Sequence, residues 1–559
     1  MSGKKIVIIG GVAAGASAAA KARRCDEEAS IVVFEKGKDI SYATCGLPYY
    51  LSGVIASRKK LLVTKASFFE KRFQVSVRTQ HEVTTIDRQN SMVEYIDHAT
   101  GTTGWEPYDR LIIAPGSSPL IPPIPGTDLP FVYTLKTLED TDRIHQHLNE
   151  RKPTKAVVIG AGLIGLETAE NLIRLGIEVS VVEMASHILP FMDREMSDML
   201  RDHTAQDGLN YYLSDAVTAI RQTGDQGIVE TKNGEILKAD LVIMAAGIKP
   251  NIELAQEAGL TIGEAGGIVV DKYMQTNDPA IYAAGDCVET INLVTGKPMI
   301  FPMGAAANKQ GRAAGANAVG RNIKVKGFTG TVIVKLFKHT SAKTGLSERE
   351  ALAEGYKPYL SYVLTLHHAG YYPGGKDIRV KTICDNDTGR ILGAQVIGQE
   401  GVDKRIDILA TAIYAKMDLE DLMHLDLSYA PPYSSARDPI FVSGAVGQNF
   451  YAGEWSPISP GELHTQLKTE KNTVLLDVRT KREVQKTGVI PQAIHIPIDE
   501  LRERIDELDK TRNLVLYCAI GLRSYLGFRI LKMNGFNHIK ALSGGIGCWT
   551  YPLETYIGG

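Results

Sequence analysis

The chain has 559 residues, more than one hydrophobic core supports, so three or four domains are expected. Its 62 basic and 64 acidic residues leave a net charge of −2, which offers no electrostatic footprint for nucleic acid or an anionic membrane. With 44% apolar and 23% charged residues it reads as an ordinary soluble globular protein. No run of about 18 apolar, uncharged residues reads as a membrane span. The six cysteines (25, 45, 287, 384, 518 and 548) are scattered, without metal-ligand spacing. Neither a disulfide scaffold nor a metal centre is therefore expected, and reduced thiols suit a cytoplasmic protein.

The N-terminus, Lys4-Lys5 followed by Ile6 to Ala20, has the outline of a secretory signal, but a buried strand, a glycine turn and an alanine-rich helix explain it better. Gly10, Gly11, Ala14 and Gly15 form that turn, and Val12 stands where the usual second glycine would be. The strand Ile31–Glu35 follows, ending in an acid 20 residues past Gly15. Next comes Ser41-Tyr-Ala-Thr44-Cys45-Gly-Leu-Pro, with no second cysteine nearby. Leu111–Gly116 is an apolar strand ending in glycine. The pattern then repeats. Gly160-Ala-Gly162-Leu163-Ile164-Gly165 is a complete fingerprint, with Glu183 18 residues past its last glycine and Gly247 closing a later strand. Ile281-Tyr-Ala-Ala-Gly285-Asp286 closes the set.

The glycines allow a tight turn and close approach of backbone to a pyrophosphate, and the helix N-terminus supplies amide donors. An acid at the second strand end accepts from ribose hydroxyls and repels a 2′-phosphate, so Glu183 favours NADH over NADPH. The simplest organisation is an α/β fold in which one nucleotide-binding domain, residues 1–115 and 255–325, is interrupted by a second, 116–254. Residues 326–446 read as an α+β unit with strands near 331–337, 360–367, 377–384 and 391–397 and helices through 403–425. The stretch 447–460 reads as a linker and 461–559 as a compact α/β domain.

This order of motifs resembles the two-dinucleotide-domain flavoprotein disulfide reductases over residues 1 to about 445. The resemblance implies two Rossmann-like domains, the FAD domain interrupted by the NAD domain, and an α+β dimerisation domain in a homodimer. It places FAD on Gly10, Gly11, Ala14, Gly15, Glu35, Gly116, Gly285 and Asp286. NADH, or NADPH, falls on Gly160, Gly162, Leu163, Ile164, Gly165, Glu183 and Gly247. Relatives such as glutathione reductase carry a close cysteine pair where this chain has Cys45 alone. A protein disulfide needs two nearby cysteines, so the second sulfur must come from a substrate thiol, or an oxygen from sulfenic acid chemistry.

The segment Ser41–Pro48 resembles the coenzyme A disulfide reductase branch. That implies coenzyme A held on Cys45 as a mixed disulfide, with Lys21, Arg24, Ser41, Thr44, Lys71, Asn308 and Arg437 as its binding residues. It also implies that Tyr371 and Tyr429 come from the partner subunit, where a phenol could protonate a departing thiolate. Residues 460–559, with Asp477-Val-Arg479, His495-Ile-Pro and Cys518-Ala-Ile-Gly-Leu-Arg523-Ser, resemble rhodanese sulfurtransferase domains. A cysteine phosphatase places Arg six positions after its cysteine; here Arg523 lies five after Cys518, which suits a sulfane sulfur better. The whole chain thus resembles a coenzyme A disulfide reductase–rhodanese fusion. The expected substrates are CoA disulfide, CoA persulfide or polysulfide, with Cys518 carrying sulfane sulfur. Two alternatives stay open: an NADH oxidase or peroxidase using Cys45 sulfenic acid, and a sulfur-carrier or sensor protein acting through Cys518.

Overall fold

The computed structural model describes residues 3–224, 226–470 and 472–556. The described residues divide into two compact units, one of those in 3–186 and 208–328, the other of those in 187–207 and 329–556.

The first unit holds two parallel five-stranded sheets built to one plan. In the first, Lys5–Ile9 lies between Arg110–Ile113 and Ser30–Glu35, with Ile281–Ala283 and Val75–Thr79 at the edges. In the second, Lys155–Ile159 lies between Glu178–Glu183 and Leu241–Met244, with Leu209–Leu213 and Val132–Thr134 outside. After its first lysine each central strand is apolar and buried, because parallel strands are covered on both faces. Each fold also carries a three-stranded antiparallel sheet, and the antiparallel pair Ser117–Pro119 and Ile248–Pro250 joins the two. The helix Ala13–Cys25 packs on Gly304–Ala318 through small residues. A Cβ on Gly311 would run into the Ala14 carbonyl, and one on Gly315 into the Ala18 carbonyl, so glycine is what lets the two helices meet.

The second unit begins with an antiparallel sheet in the order Val332–Leu336, His339–Gly345, Ile391–Gly398, Asp377–Asp385, Pro358–Leu366. The strand His339–Gly345 is an addition to the sequence reading. Its buried Lys343 and Thr344 are paired: Lys343 with Glu350 at 2.6 Å, and Thr344 with Thr331 at 2.8 Å. The stretch 447–460 differs from the expected linker. The helix Pro439–Tyr451 occupies its first part, Pro457–Ile458 joins the C-terminal sheet, and a helix starts at Pro460. Within it, 452–456 and Ser459 lie outside regular elements, and Val446 and Phe450 pack against the C-terminal core. That core surrounds a parallel sheet in the order Pro457–Ile458, Ile539–Leu542, Asn513–Tyr517, Thr473–Asp477, Ile494–His495.

Residues 187–207, expected in the second nucleotide domain, belong to this unit because their acids pair with a buried lysine. Lys381 is fully buried, and its Nζ lies 2.7 Å from Asp193, 2.6 Å from Glu195 and 2.8 Å from Glu348. Those three carboxylates converge closely enough to hold a metal ion, but the ammonium takes that position. Burial pulls the lysine down, yet Tyr362 and the acids outweigh it and hold it well above its usual value. Burial likewise raises Asp193, but Lys381 and its hydrogen bonds bring it below the ordinary carboxylate range.

Removing the ammonium would leave three acids uncompensated. Lys381→Met should therefore cost roughly 3–5 kcal/mol of local stability, read as faster hydrogen exchange along Asp377–Asp385. Unchanged exchange would show that the cluster contributes nothing to stability.

Candidate active site

The two glycine turns superpose in chemistry. Gly10 and Gly160 sit at φ +92° and +108°, where a Cβ would strike the Ala114 and Ala245 carbonyls. A Cβ on Gly15 or Gly165 would strike the carbonyl of the first glycine of its own turn. The terminal acids also match. Glu35 accepts from Gly11 N at 2.7 Å and Gly37 N at 2.8 Å; Glu183 accepts from Ala161 N at 2.7 Å and Ala185 N at 2.8 Å. Val12 does not disturb the first turn. Burial, partly offset by those amides, raises the Glu35 carboxyl.

At the second turn a Cβ on Gly162 meets nothing within 4 Å, and Leu163 and Ile164 begin the helix Leu163–Arg174 beside that open space. The cradle therefore fits a dinucleotide pyrophosphate. Gly116 and Gly247 have positive φ and open surroundings. Asp286 is held by Ser117 Oγ at 2.8 Å and Lys136 Nζ at 3.2 Å, and Gly285 N donates to the buried Gln310 at 3.0 Å. A Cβ on Gly285 would come within 3.1 Å of Ala14, so the first turn and the Gly285-Asp286 motif lie side by side.

Cys45 opens onto a cleft of about 650 Å³. Of the six cysteines it alone is exposed; burial pushes the Cys287 and Cys548 thiols up to about 12. It sits in the short turn Thr44–Gly46, where a Cβ on Gly46 would come 2.6 Å from Leu61. Ser41, at φ +47°, turns the chain across the first glycine loop by donating from its amide to Gly11 O at 2.9 Å. The helix Ala13–Cys25 lends Ser17 and Arg24 to one wall, and Gly304–Ala318 lends Asn308 and Arg312. Ser17 Oγ donates to Asn308 Oδ1 at 2.5 Å. Phe68, Phe69 and Phe73 supply an apolar side.

Of the expected coenzyme A residues, Arg24, Ser41, Thr44 and Asn308 line this cleft. Lys21 and Lys71 do not. Lys71 lies two positions from Phe69, on the opposite side of Ala66–Phe73, and Lys21 stands one position off the lining stripe Ala13, Ser17, Ala20, Arg24. Arg312 was missed, although it falls one helical turn after Asn308. Glu167 was missed too. It is half-buried, which raises its carboxyl, and it accepts from Tyr49 at 3.0 Å, tying the helix after Cys45 to the second fingerprint helix.

In the second unit, Tyr371 and Tyr429 are exposed and share a hydrogen bond of 2.9 Å between their hydroxyls. That bond raises the Tyr371 phenol. The buried Arg405 holds the two loops together: it donates to His367 O at 2.8 Å and to Asp438 at 2.8 Å, and Ser434 O accepts from Ala369 N at 3.2 Å. Arg437 is exposed on the second of these loops.

Cys518 directly follows the strand Asn513–Tyr517, and its thiol is buried. Gly521, at φ +111°, turns the loop so that its amide donates to Cys518 Sγ at 3.1 Å, just before the helix Leu522–Met533. A thiolate or persulfide suits that position. Arg523 pairs with Glu483 at 2.7 and 2.6 Å, a partner the sequence reading did not supply. This pairing lowers Glu483 to about 2. The segment Gly545–Cys548 supports the loop from behind: Ile546 N donates to Cys518 O at 2.8 Å, and Gly547 O accepts from Arg379 at 3.1 Å.

Two nucleotide cradles and a lone exposed thiol suit a dinucleotide-dependent thiol oxidoreductase. Residues 4–306 match the pyridine nucleotide-disulphide oxidoreductase family, 331–439 its dimerisation domain and 459–551 the rhodanese-like domain. The chain belongs to the pyridine nucleotide-disulphide oxidoreductase family and is an NAD(P)H-dependent flavoprotein with a rhodanese-like domain. It is similar to the reduced CoADR-RHD of Bacillus anthracis, at 39% identity and TM-score 0.94 over 98% of both chains. A NAD-dependent persulfide reductase from A. fulgidus matches at 42% identity and TM-score 0.91, over 98% of this chain and 100% of that one. A CoA-dependent NAD(P)H sulfur oxidoreductase of Pyrococcus furiosus is 38% identical over 80% of this chain and 99% of its own. Among the described residues no helix is long and apolar enough to cross a membrane.

The open space at Gly162 separates folding from binding. Gly162→Ala should leave thermal stability unchanged while raising the KM for NADH about tenfold or more. An unchanged KM would remove the pyrophosphate from this turn.

Proposed function

We propose that the chain is an NADH-dependent reductase of CoA disulfide, CoA persulfide and polysulfide, acting as a cytoplasmic homodimer. The observation that carries this reading is an exposed Cys45 facing a cleft with two arginines and an aromatic side, and no other cysteine lining it. A shuttle confined to the protein would need a second thiol there; an incoming CoA disulfide or persulfide needs room, cations and apolar surface instead. The names of similar proteins, CoA-dependent sulfur oxidoreductase and persulfide reductase, support the same substrate class.

Gly10, Gly11, Ala14, Gly15, Glu35, Gly116, Gly285 and Asp286 would hold FAD, and the Gly160–Gly165 turn with Glu183 and Gly247 the NADH. Bound FAD supplies the two-electron chemistry that links NADH to sulfur. The chain's own residues do the rest. The Cys45 thiolate attacks one sulfur of a CoA disulfide; the S–S bond breaks, Cys45–S–S–CoA forms and one CoA leaves as thiolate. Arg24 and Arg312 meet the CoA phosphates by charge-assisted hydrogen bonds, with Asn308 and Ser17 between them. The aromatic side of the cleft shelters the pantetheine arm. The Tyr371–Tyr429 pair, supplied across the dimer, gives a departing thiolate its proton. Cys518 carries sulfane sulfur from persulfide substrates.

Cys45→Ser should lower NADH-dependent reduction of CoA disulfide at least about a thousandfold, while Cys518→Ser should leave it within about twofold and abolish sulfane transfer. Full activity of Cys45→Ser would overturn the reading. Oxygen consumption faster than disulfide reduction would replace it with the oxidase.

A further inference from the structure

The loop from Cys518 to Ser524 contains one charged side chain, Arg523, and that charge is neutralised. Both terminal nitrogens of its guanidinium bind Glu483, at 2.7 and 2.6 Å. Glu483 is in turn fixed by its place in the fold. It is the third residue of the helix Lys481–Thr487 and takes part in a reciprocal cap, accepting from Thr480 N at 2.9 Å and Thr480 Oγ1 at 2.7 Å. The carboxylate is thus held against Arg523 from two directions. Around the loop the exposed side chains Ile520, Leu522 and Leu526 are apolar. The sulfur meets the amide of Gly521, 3.1 Å from Cys518 Sγ, and beside it the Arg523 guanidinium that Glu483 engages. A buried thiol, one amide donor, a cancelled cation and an apolar rim make a site for a sulfur atom of low charge.

We infer that Glu483 is a specificity-determining residue: by cancelling Arg523 it restricts Cys518 to sulfane sulfur carried on a thiol and rejects donors that release a dianion. This rests on the reading of Cys518 as a sulfane carrier and states which donor loads it. In the favoured step the Cys518 thiolate attacks the terminal sulfur of R–S–SH. The inner S–S bond breaks, Cys518–S–SH forms, and R–S⁻ leaves with the electron pair and takes a proton from solvent; nothing is oxidised or reduced overall. The same attack on thiosulfate expels SO₃²⁻. Two negative charges then need cations at the leaving group, and a guanidinium already bound to a carboxylate through both nitrogens does not supply one.

The test mixes the full-length holoenzyme with glutathione persulfide or with thiosulfate and follows persulfide on the Cys518 peptide by quenched mass spectrometry. The wild type should load from glutathione persulfide at least about tenfold faster than from thiosulfate. Glu483→Gln, which keeps the helix cap, should raise the thiosulfate rate about tenfold and change the other rate less than about threefold. Glu483→Asp, which keeps the charge, should retain the selectivity. Equal loading of the wild type by both donors would overturn the inference without any variant. So would an unaltered thiosulfate rate in Glu483→Gln at unchanged thermal stability. NADH-dependent reduction of CoA disulfide, measured on the same samples, reports Cys45 separately; its absence would sink the reductase reading and leave the donor selectivity standing.

Discussion

The approach of two alanine-rich helices is the constraint on which the reductase half depends. Ala13–Cys25 and Gly304–Ala318 touch backbone to backbone because Gly311 and Gly315 carry no Cβ to collide with the Ala14 and Ala18 carbonyls. That contact does three things at once. It sets the Gly285-Asp286 motif beside the first glycine turn. It brings Gln310 within 3.0 Å of Gly285 N. It aligns Ser17 and Arg24 of one helix with Asn308 and Arg312 of the other along the cleft that Cys45 faces. A larger residue at either glycine would part the helices and disperse the site, so the small-residue stripe matters for chemistry as much as for packing.

The two sulfur centres solve opposite problems. Cys45 is exposed, held in a turn by close packing at Gly46, and its cleft joins cationic and apolar surface suited to a large thiol with phosphate groups. Cys518 is buried behind a seven-residue loop whose one cation is cancelled. On the proposed reading, the first accepts a carrier and the second a single sulfur atom. The C-terminal domain that holds Cys518 is docked through a network of its own. The strand Pro358–Leu366 donates from Tyr362 N to Ser543 at 3.1 Å, while the Tyr362 hydroxyl donates to Glu195 at 2.6 Å in the Lys381 cluster.

Much of this was legible in the sequence because the signals were local. Each glycine turn and its acid fall within one strand–helix–strand unit, and the structure gives both acids the same pair of backbone amide donors. Cys45 stood out because it lacked a neighbour, and Asn308 came from the family pattern. What escaped was set by tertiary pairing. The strand His339–Gly345 lacks apolar alternation because its buried polar side chains find partners on other elements. Residues 187–207 leave the nucleotide fold because Asp193 and Glu195 meet a lysine almost two hundred positions away. The expected linker failed as a reading because Gly453, Pro457 and Pro460 read as chain breakers, whereas a helix and a strand take up most of the stretch. Arg312 and Glu483 carried usable signals, one a helical turn past Asn308, the other the acid of a Thr-x-x-Glu cap. Neither spacing says what the side chain faces.

The central claim is that the sulfur missing beside Cys45 arrives on coenzyme A. Mass spectrometry of the protein as purified, without added thiol or reductant, tests it most directly. The account predicts an adduct of coenzyme A mass on the Cys45 peptide, released by NADH. A Cys45 peptide that is unmodified, or oxidised to sulfenic or higher acids, with no coenzyme A in the preparation, would contradict it.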